Sequence, residues 1–129
     1  MLFKQLIGTR VLSVAHSTQL GRTLRVYAFC SRNITGGIAV VAINVNMTPQ
    51  SFDFEGFSAS PRLEYQLTAP GGNVSSLEIE LNGKILFASP TGELPDLSPD
   101  EVDDSPSVTM RPLSYGFFVF PQANAAACG

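Results

Sequence analysis

The side chains able to do chemistry in this chain are few and scattered. His16 is the single histidine. Serine–histidine catalysis needs it beside a hydroxyl and an orienting acid. Ser13 and Ser17 flank it, but on a strand Ser13, Ala15 and Ser17 point one way and His16 the other. No G-x-S-x-G elbow is present. Glycosidic hydrolysis with retention needs two carboxyl groups about 5–5.5 Å apart. Glu78 and Glu80 share a strand face at a strand-rise spacing of about 7 Å. An outward Glu-x-Glu of that kind is normally solvated, and no residue of the chain is assigned a catalytic role.

Metal and phosphate chemistry fare no better. Zinc sites draw on closely spaced Cys and His ligands, whereas Cys30 and Cys128 stand far apart. Six of the eleven acidic residues fall in one stretch: Glu93, Asp96, Asp100, Glu101, Asp103 and Asp104. They lack the D-x-D-x-D-G spacing of a calcium loop, and prolines interrupt them. They read as a solvated surface loop. Gly36-Gly37 and Gly71-Gly72 read as turns, not as a phosphate cradle. Neither a metal nor a cofactor is expected.

The two cysteines are either a bridge or two buried thiols. A bridge would close nearly the whole chain, and a loop of about 100 residues is worth up to ~4–5 kcal/mol in the loop-entropy model. Three sequons fit the N-glycosylation pattern: Asn33-Ile34-Thr35, Asn46-Met47-Thr48 and Asn73-Val74-Ser75. Asn33 and Asn73 lie near glycines and read as exposed turns. Pro49 follows the second sequon and disfavours modification of Asn46. Cysteines and sequons together point to a secreted or lysosomal context. Met1–Ile7 lacks the features of a signal peptide, so a signal is expected upstream.

Composition bounds the rest. The chain has 129 residues, 44% hydrophobic and 15% charged, enough for one folded domain with a real core. Its net charge of −3 excludes a nucleic-acid binder, which needs clustered Lys and Arg. Five of the eight basic residues fall in the first 32, namely Lys4, Arg10, Arg22, Arg25 and Arg32. They read as solvated strand ends and loops. No stretch approaches the ~18 apolar residues of a transmembrane segment.

The elements that must position these residues are strands. Leu2, Phe3, Leu6 and Ile7 fall on one helical face, and Gly8 is placed like a residue that ends a helix. After Gly8 the period changes to two. Strands are predicted over Val11–Ser17, Leu24–Cys30, Ile38–Val45, Gln50–Phe54 and Arg62–Thr68, with Ile38–Val45 covered on both faces. A hairpin spans Ser76–Ala88. A three-residue loop Leu81-Asn82-Gly83 would set Ile79 against Ile85, Leu77 against Phe87 and Glu80 against Lys84. That register keeps one face apolar and is preferred over a two-residue turn. Pro90–Val108 reads as a long loop, and Leu113–Phe120 as the last strand. The expectation is an all-β fold, an antiparallel β-sandwich of about eight strands.

Several segments, in order, resemble the C-terminal part of heparanase-like enzymes of glycoside hydrolase family 79. The opening 2–12, LFKQLIGTRVL, is similar to the family's junction from its last barrel helix into the sandwich. The segment 24–30, LRVYAFC, resembles its first cysteine strand, and 113–119, LSYGFFV, followed by 125–128, AAAC, its last strand and second cysteine. Ala42-Ile43-Asn44 and Leu81-Asn82-Gly83 fall where the family has similar strings. The resemblance implies that residues 1–8 end the last helix of a (β/α)8 barrel and residues 9–129 form the C-terminal sandwich. It implies that Leu2, Phe3, Leu6 and Ile7 face that barrel, and that Cys30 and Cys128 are bridged. It further implies that the catalytic glutamates lie on the barrel and that an N-terminal segment adds a strand to the sandwich. Partners would be the (β/α)8 catalytic domain of the same protein, and glycans or cell-surface proteins. The chain is less basic than animal members, and Gly56–Ser75 matches no family segment.

Two other readings compete. A stand-alone carbohydrate- or protein-binding module would expose aromatics from among Tyr27, Phe29, Tyr65, Phe117 and Phe118. A self-sufficient enzyme would need a polar cleft with perturbed carboxylates.

Overall fold

The two longest apolar runs of the sequence lie side by side in the structure, a computed structural model that describes residues 1–15 and 21–129. His16 and Ser17 lie outside the described residues, and the strand expected over Val11–Ser17 instead runs Ile7–Leu12, with residues 13–15 beyond its end. One short helix, α1 (Leu2–Leu6), leads into β1 (Ile7–Leu12), β2 (Leu24–Ser31), β3 (Ile38–Asn44) and β4 (Gln50–Asp53). Then come β5 (Arg62–Thr68), β6 (Glu80–Leu81), β7 (Lys84–Ile85), β8 (Asp100–Val102), β9 (Ser107–Met110) and β10 (Ser114–Phe120). The large sheet runs in the order β1-β2-β3-β10-β5-β6-β7, with β8 also pairing β5. β4 and β9 form a second sheet of two strands. Every pairing is antiparallel. The all-β antiparallel sandwich expected from the alternation is the fold observed.

β10 sits between β3 and β5, with Phe118 opposite Val40 on one side and Glu64 on the other. Its side chains divide by parity, as a pleated strand requires. Phe118 and Phe120 join Leu24, Val40, Ala42, Val108 and Met110 in the core between the sheets. Phe117 and Val119 join Leu2, Ile7, Ala39, Tyr65, Leu67 and Leu81 on the outer face of the large sheet. β3 is covered on both faces only over its first residues, Ile38–Ala42; Ile43 (37% exposed) and Val45 (56%), expected to be covered, are open.

The structure corrects the sequence reading at three further places. First, α1 ends at Leu6, and its C-cap is the extended Ile7. Gly8 does not terminate a helix; it lies within β1, where a Cβ would come within 2.6 Å of the Cys30 carbonyl oxygen. Glycine is there for close backbone approach, beside an irregularity in the β1–β2 register. Second, the stretch 90–108 holds β8 and the start of β9. β8 is a solvent-facing edge that pairs through its main chain, so its side chains carry no alternation. β9 does alternate, with Val108 and Met110 wholly buried.

Third, the hairpin forms around a two-residue turn. Glu80 faces Ile85, and Leu81 faces Lys84. Asn82 (φ 50°) and Gly83 (φ 81°) both take left-handed conformations, the requirement of the turn that matches strand twist. The Asn82 Oδ1 accepts from the Gln66 amide at 2.8 Å, and its Nδ2 donates to the Glu64 carbonyl at 2.9 Å. The turn is thereby fastened to β5, and Leu81 is buried. The three-residue loop was preferred to bury Leu77 with Phe87, yet both are exposed. The paired strands extend only over β6 and β7, plus one further bond from the Leu86 amide to the Ile79 carbonyl at 2.8 Å.

Asn82→Ala removes both of those bonds and places a Cβ-bearing residue without a polar tip at positive φ. It should lower the unfolding free energy by about 1–3 kcal/mol. The midpoint of urea denaturation reads the effect, and an unshifted midpoint would mean the turn is not held by this side chain.

Candidate docking surface

The residues with chemical potential do not converge. Glu80 Oε2 accepts from the Thr68 hydroxyl at 3.2 Å, and Glu78 is exposed. Lys84 stands across from Leu81 and does not pair with Glu80 as the other register required. Among the described residues no group of three or more His, Cys, Asp or Glu could hold a metal ion. His16 lies outside them. Three of the four early arginines bond to main-chain carbonyls: Arg10 donates to Ala127, Arg25 to Gly21 at 2.6 Å, and Arg32 to Lys4 at 2.6 Å, while Arg22 is exposed. Among the described residues, no helix is long and apolar enough to cross a membrane.

One ion pair is built deep into the fold. Arg62 is buried, and its Nε meets Glu64 Oε1 at 2.7 Å. Its Nη1 donates to the carbonyls of Ala59 and Ser105, and its Nη2 to that of Ser107 at 2.8 Å. These bonds tie the start of β5 to the chain entering β9. The role is structural.

Cys30 and Cys128 are joined in a disulfide that spans 98 residues of sequence, with Cα atoms 5.3 Å apart. The bond pins the C-terminal tail across the end of β2. The Gly36 amide donates to the Cys128 carbonyl at 2.9 Å, and the Ala125 amide to Gly36 at 2.9 Å. Of the three sequons, Asn33 and Asn73 are exposed and Asn46 is half-buried.

What the fold does assemble is an apolar surface. The outer face of the large sheet carries cross-strand rows. One is Tyr27–Val41–Phe117–Tyr65, and the next is Arg25–Ile43–Tyr115–Leu67. Phe117 and Tyr65 are covered, but Tyr27 is 50% exposed, Tyr115 44% and Ile43 37%. Tyr115 packs edge-on to Phe117 with ring centres 6.5 Å apart. Tyr115 and Ile43 were not singled out in the sequence. They alternate in phase with buried neighbours, and among the described residues neither α1 nor the β6–β7 hairpin covers them.

The four residues assigned to a barrel interface separate. Leu2 (5% exposed) and Ile7 (6%) pack into the outer-face core of this chain itself, and Leu6 is half-buried there. Phe3 is 51% exposed and touches Phe29 edge-on at 6.0 Å. Among the aromatics considered for a binding module, Phe117, Phe118 and Tyr65 are buried, Phe29 is partly so, and Tyr27 is accessible.

On the inner side, the two-stranded sheet leaves part of the large sheet uncovered. A groove of about 610 Å³ runs between β4 and the faces of β1 to β3, lined by Leu12, Val26, Ala28, Phe52, Phe54 and Phe57. Among the described residues β4 pairs only with β9, so its other edge borders this groove.

A disulfide-stapled antiparallel sandwich with an open apolar face is thus the class of domain. No family model matches the chain. It is 33% identical over 132 residues to a hyaluronoglucuronidase of Hirudo nipponia, covering 95% of this chain and 26% of that protein. It is 30% identical over 135 residues to heparanase of Bos taurus, covering 99% and 25%. It is 29% identical over 145 residues to inactive heparanase-2 of Homo sapiens, covering 99% and 24%. The chain is a distant homologue of heparanase-type glycosidases, and it spans about a quarter of the length of these relatives.

The disulfide generates a prediction. Replacing both cysteines by serine should lower stability by about 4–5 kcal/mol for a loop near 100 residues. Denaturant unfolding of the double variant against the oxidised chain measures it, and equal midpoints would mean the tail is held by its hydrogen bonds alone.

Proposed function

We propose that the chain is the non-catalytic C-terminal β-sandwich of a heparanase-like β-glucuronidase of glycoside hydrolase family 79. It supports the stability, secretion and activity of a (β/α)8 catalytic domain in the same protein. The observation that carries this reading is the half-exposed apolar face formed by Tyr27, Ile43 and Tyr115, with Phe3 beside it. Fully burying a side chain of this size is worth roughly 1.5–3 kcal/mol, so a neighbouring domain gains from covering the face. The separation of Leu2 and Ile7 into the chain's own core moves the proposed contact from the helix to the sheet.

Two further observations support the reading. Relatives named heparanase and inactive heparanase-2 match the chain at 30% and 29% identity, which favours catalytic residues lying elsewhere in those proteins. The groove beside β4 is suited to a further strand, the one that the resemblance assigns to an N-terminal segment. The disulfide and the sequons support a secretory or lysosomal location as part of this reading. A free-standing module would instead use Tyr27 and Tyr115 to bind glycan directly.

The isolated chain should show no turnover of a chromogenic β-glucuronide; robust turnover would return catalysis to its own carboxylates. In the full-length protein, Tyr27→Asp with Tyr115→Asp should reduce secreted yield and lower the temperature of half-inactivation. The isolated chain carrying the same changes should unfold at an unchanged denaturant concentration. A full-length protein indifferent to both charges would overturn the docking face.

A further inference from the structure

The three sequons occupy three different physical settings. Asn33 lies in the β2–β3 turn with φ 62°, exposed, and neither its amide nor the exposed Thr35 hydroxyl has a partner among the described residues. Asn73 follows Gly71 and Gly72, around which nothing lies within 4 Å of an added Cβ. Its Oδ1 accepts from the Ser75 main-chain amide at 3.1 Å, and among the described residues neither its Nδ2 nor the exposed Ser75 hydroxyl has a partner. Asn46 differs. It is half-buried, its amide donates to Asn44 Oδ1 at 3.0 Å, and its carbonyl accepts from Leu113 at 2.9 Å. Thr48 is engaged twice: its carbonyl accepts from Asn44 Nδ2 at 3.2 Å and its hydroxyl from Gln50 at 3.2 Å. Pro49 follows directly. Asn44 is itself wholly buried, so a bulky group at Asn46 would disturb the turn this amide organises.

We propose that the folded domain carries N-linked glycans on Asn33 and Asn73 and none on Asn46. In the transfer, the Asn side-chain nitrogen bonds to the anomeric carbon of an oligosaccharide carried on a lipid diphosphate. The sugar–phosphate bond breaks, the lipid diphosphate leaves with its electron pair, and the amide loses one proton. The hydroxyl two residues on is part of the acceptor motif. The strand registers put the two sites at opposite ends of the large sheet. Asn33 lies beyond the end where Cys30 faces Ile38, and Asn73 beyond the end where Leu67 faces Tyr115. The inference rests on the secretory part of the reading above.

The test is expression of the chain behind a host secretion leader in a glycosylating cell, reading cell-associated and secreted chain together. Two gel steps sensitive to a glycan-releasing amidase are expected. Thr35→Ala and Ser75→Ala should each remove one step, and Thr48→Ala none. These variants keep every Asn and the turn at Asn73. Amidase release in heavy-oxygen water should label the Asp formed at positions 33 and 73. Absence of steps, a single step, or a step removed by Thr48→Ala overturns the assignment. Because the leader supplies the route, such a failure leaves the docking reading to be judged by its own variants.

Discussion

β10 is hydrogen-bonded along both edges and, from Gly116 to Phe120, covered on both faces, and the remaining elements take their positions from it. Its pairing with β3 and β5 fixes which residues of three strands share a face. A slip of one residue would send Phe118 and Phe120 to the outer side and Phe117 and Val119 into the seam. Gly116 is part of this constraint. A Cβ there would lie 2.9 Å from the Phe118 ring, so the missing side chain makes the space that ring fills. The aromatic cluster then grows from β10 outward. Phe118 meets Phe52 edge-on at 6.4 Å, and Phe120 meets Phe54 and Phe57 at 5.0 and 5.1 Å. Contacts of this geometry add to the area they bury.

The smaller sheet cannot be held by apolar contact alone, because two strands cover only part of the larger one. It is suspended from β5 by side chains. Gln66 Nε2 donates to the Thr109 carbonyl at 3.0 Å, and its Oε1 accepts from the Arg111 amide at 3.0 Å. Arg62 does the same at the other end of β9, through Ser105 and Ser107. Asn44 closes the far turn by donating to Arg111 and Thr48. Among the described residues no buried side-chain nitrogen or oxygen lacks a partner. Such a network costs little when every member is satisfied and much when one is removed.

The same geometry accounts for the surface. The outer-face cluster is completed by α1 on one side and, on the other, by the β6–β7 hairpin that extends the sheet itself. α1 has five residues, and the hairpin pairs only two residues in each strand. Neither reaches the Tyr27 and Ile43–Tyr115 region. An exposed apolar area framed by the domain's own short elements is the kind of surface that marks a contact with another protein part. The groove beside β4 is the inner counterpart of that shortage.

Much of this was legible in the chain alone. Period-two alternation located β2, β5 and β10, and a near-continuous apolar run located β3, since strands buried on one or both faces must write their burial into the sequence. The spacing of Cys30 and Cys128 left both bridge and free thiols open, and family resemblance favoured the bridge. Three features escaped. β8 pairs through its main chain, which every residue has, so no side-chain pattern marks it. The hairpin register turned on Asn82 reaching β5, a contact sixteen and eighteen residues away in sequence. Leu2 and Ile7 were assigned outward with Phe3, because a helical face does not say which neighbour will cover it. The sequence by itself determined that this is an antiparallel sandwich closing on an aromatic-rich strand, because hydrophobic periodicity is local; that this strand is central came from the sheet order. Only the tertiary structure decided which apolar residues remain open for docking, because exposure depends on how far α1 and the hairpin extend over a sheet assembled from distant segments.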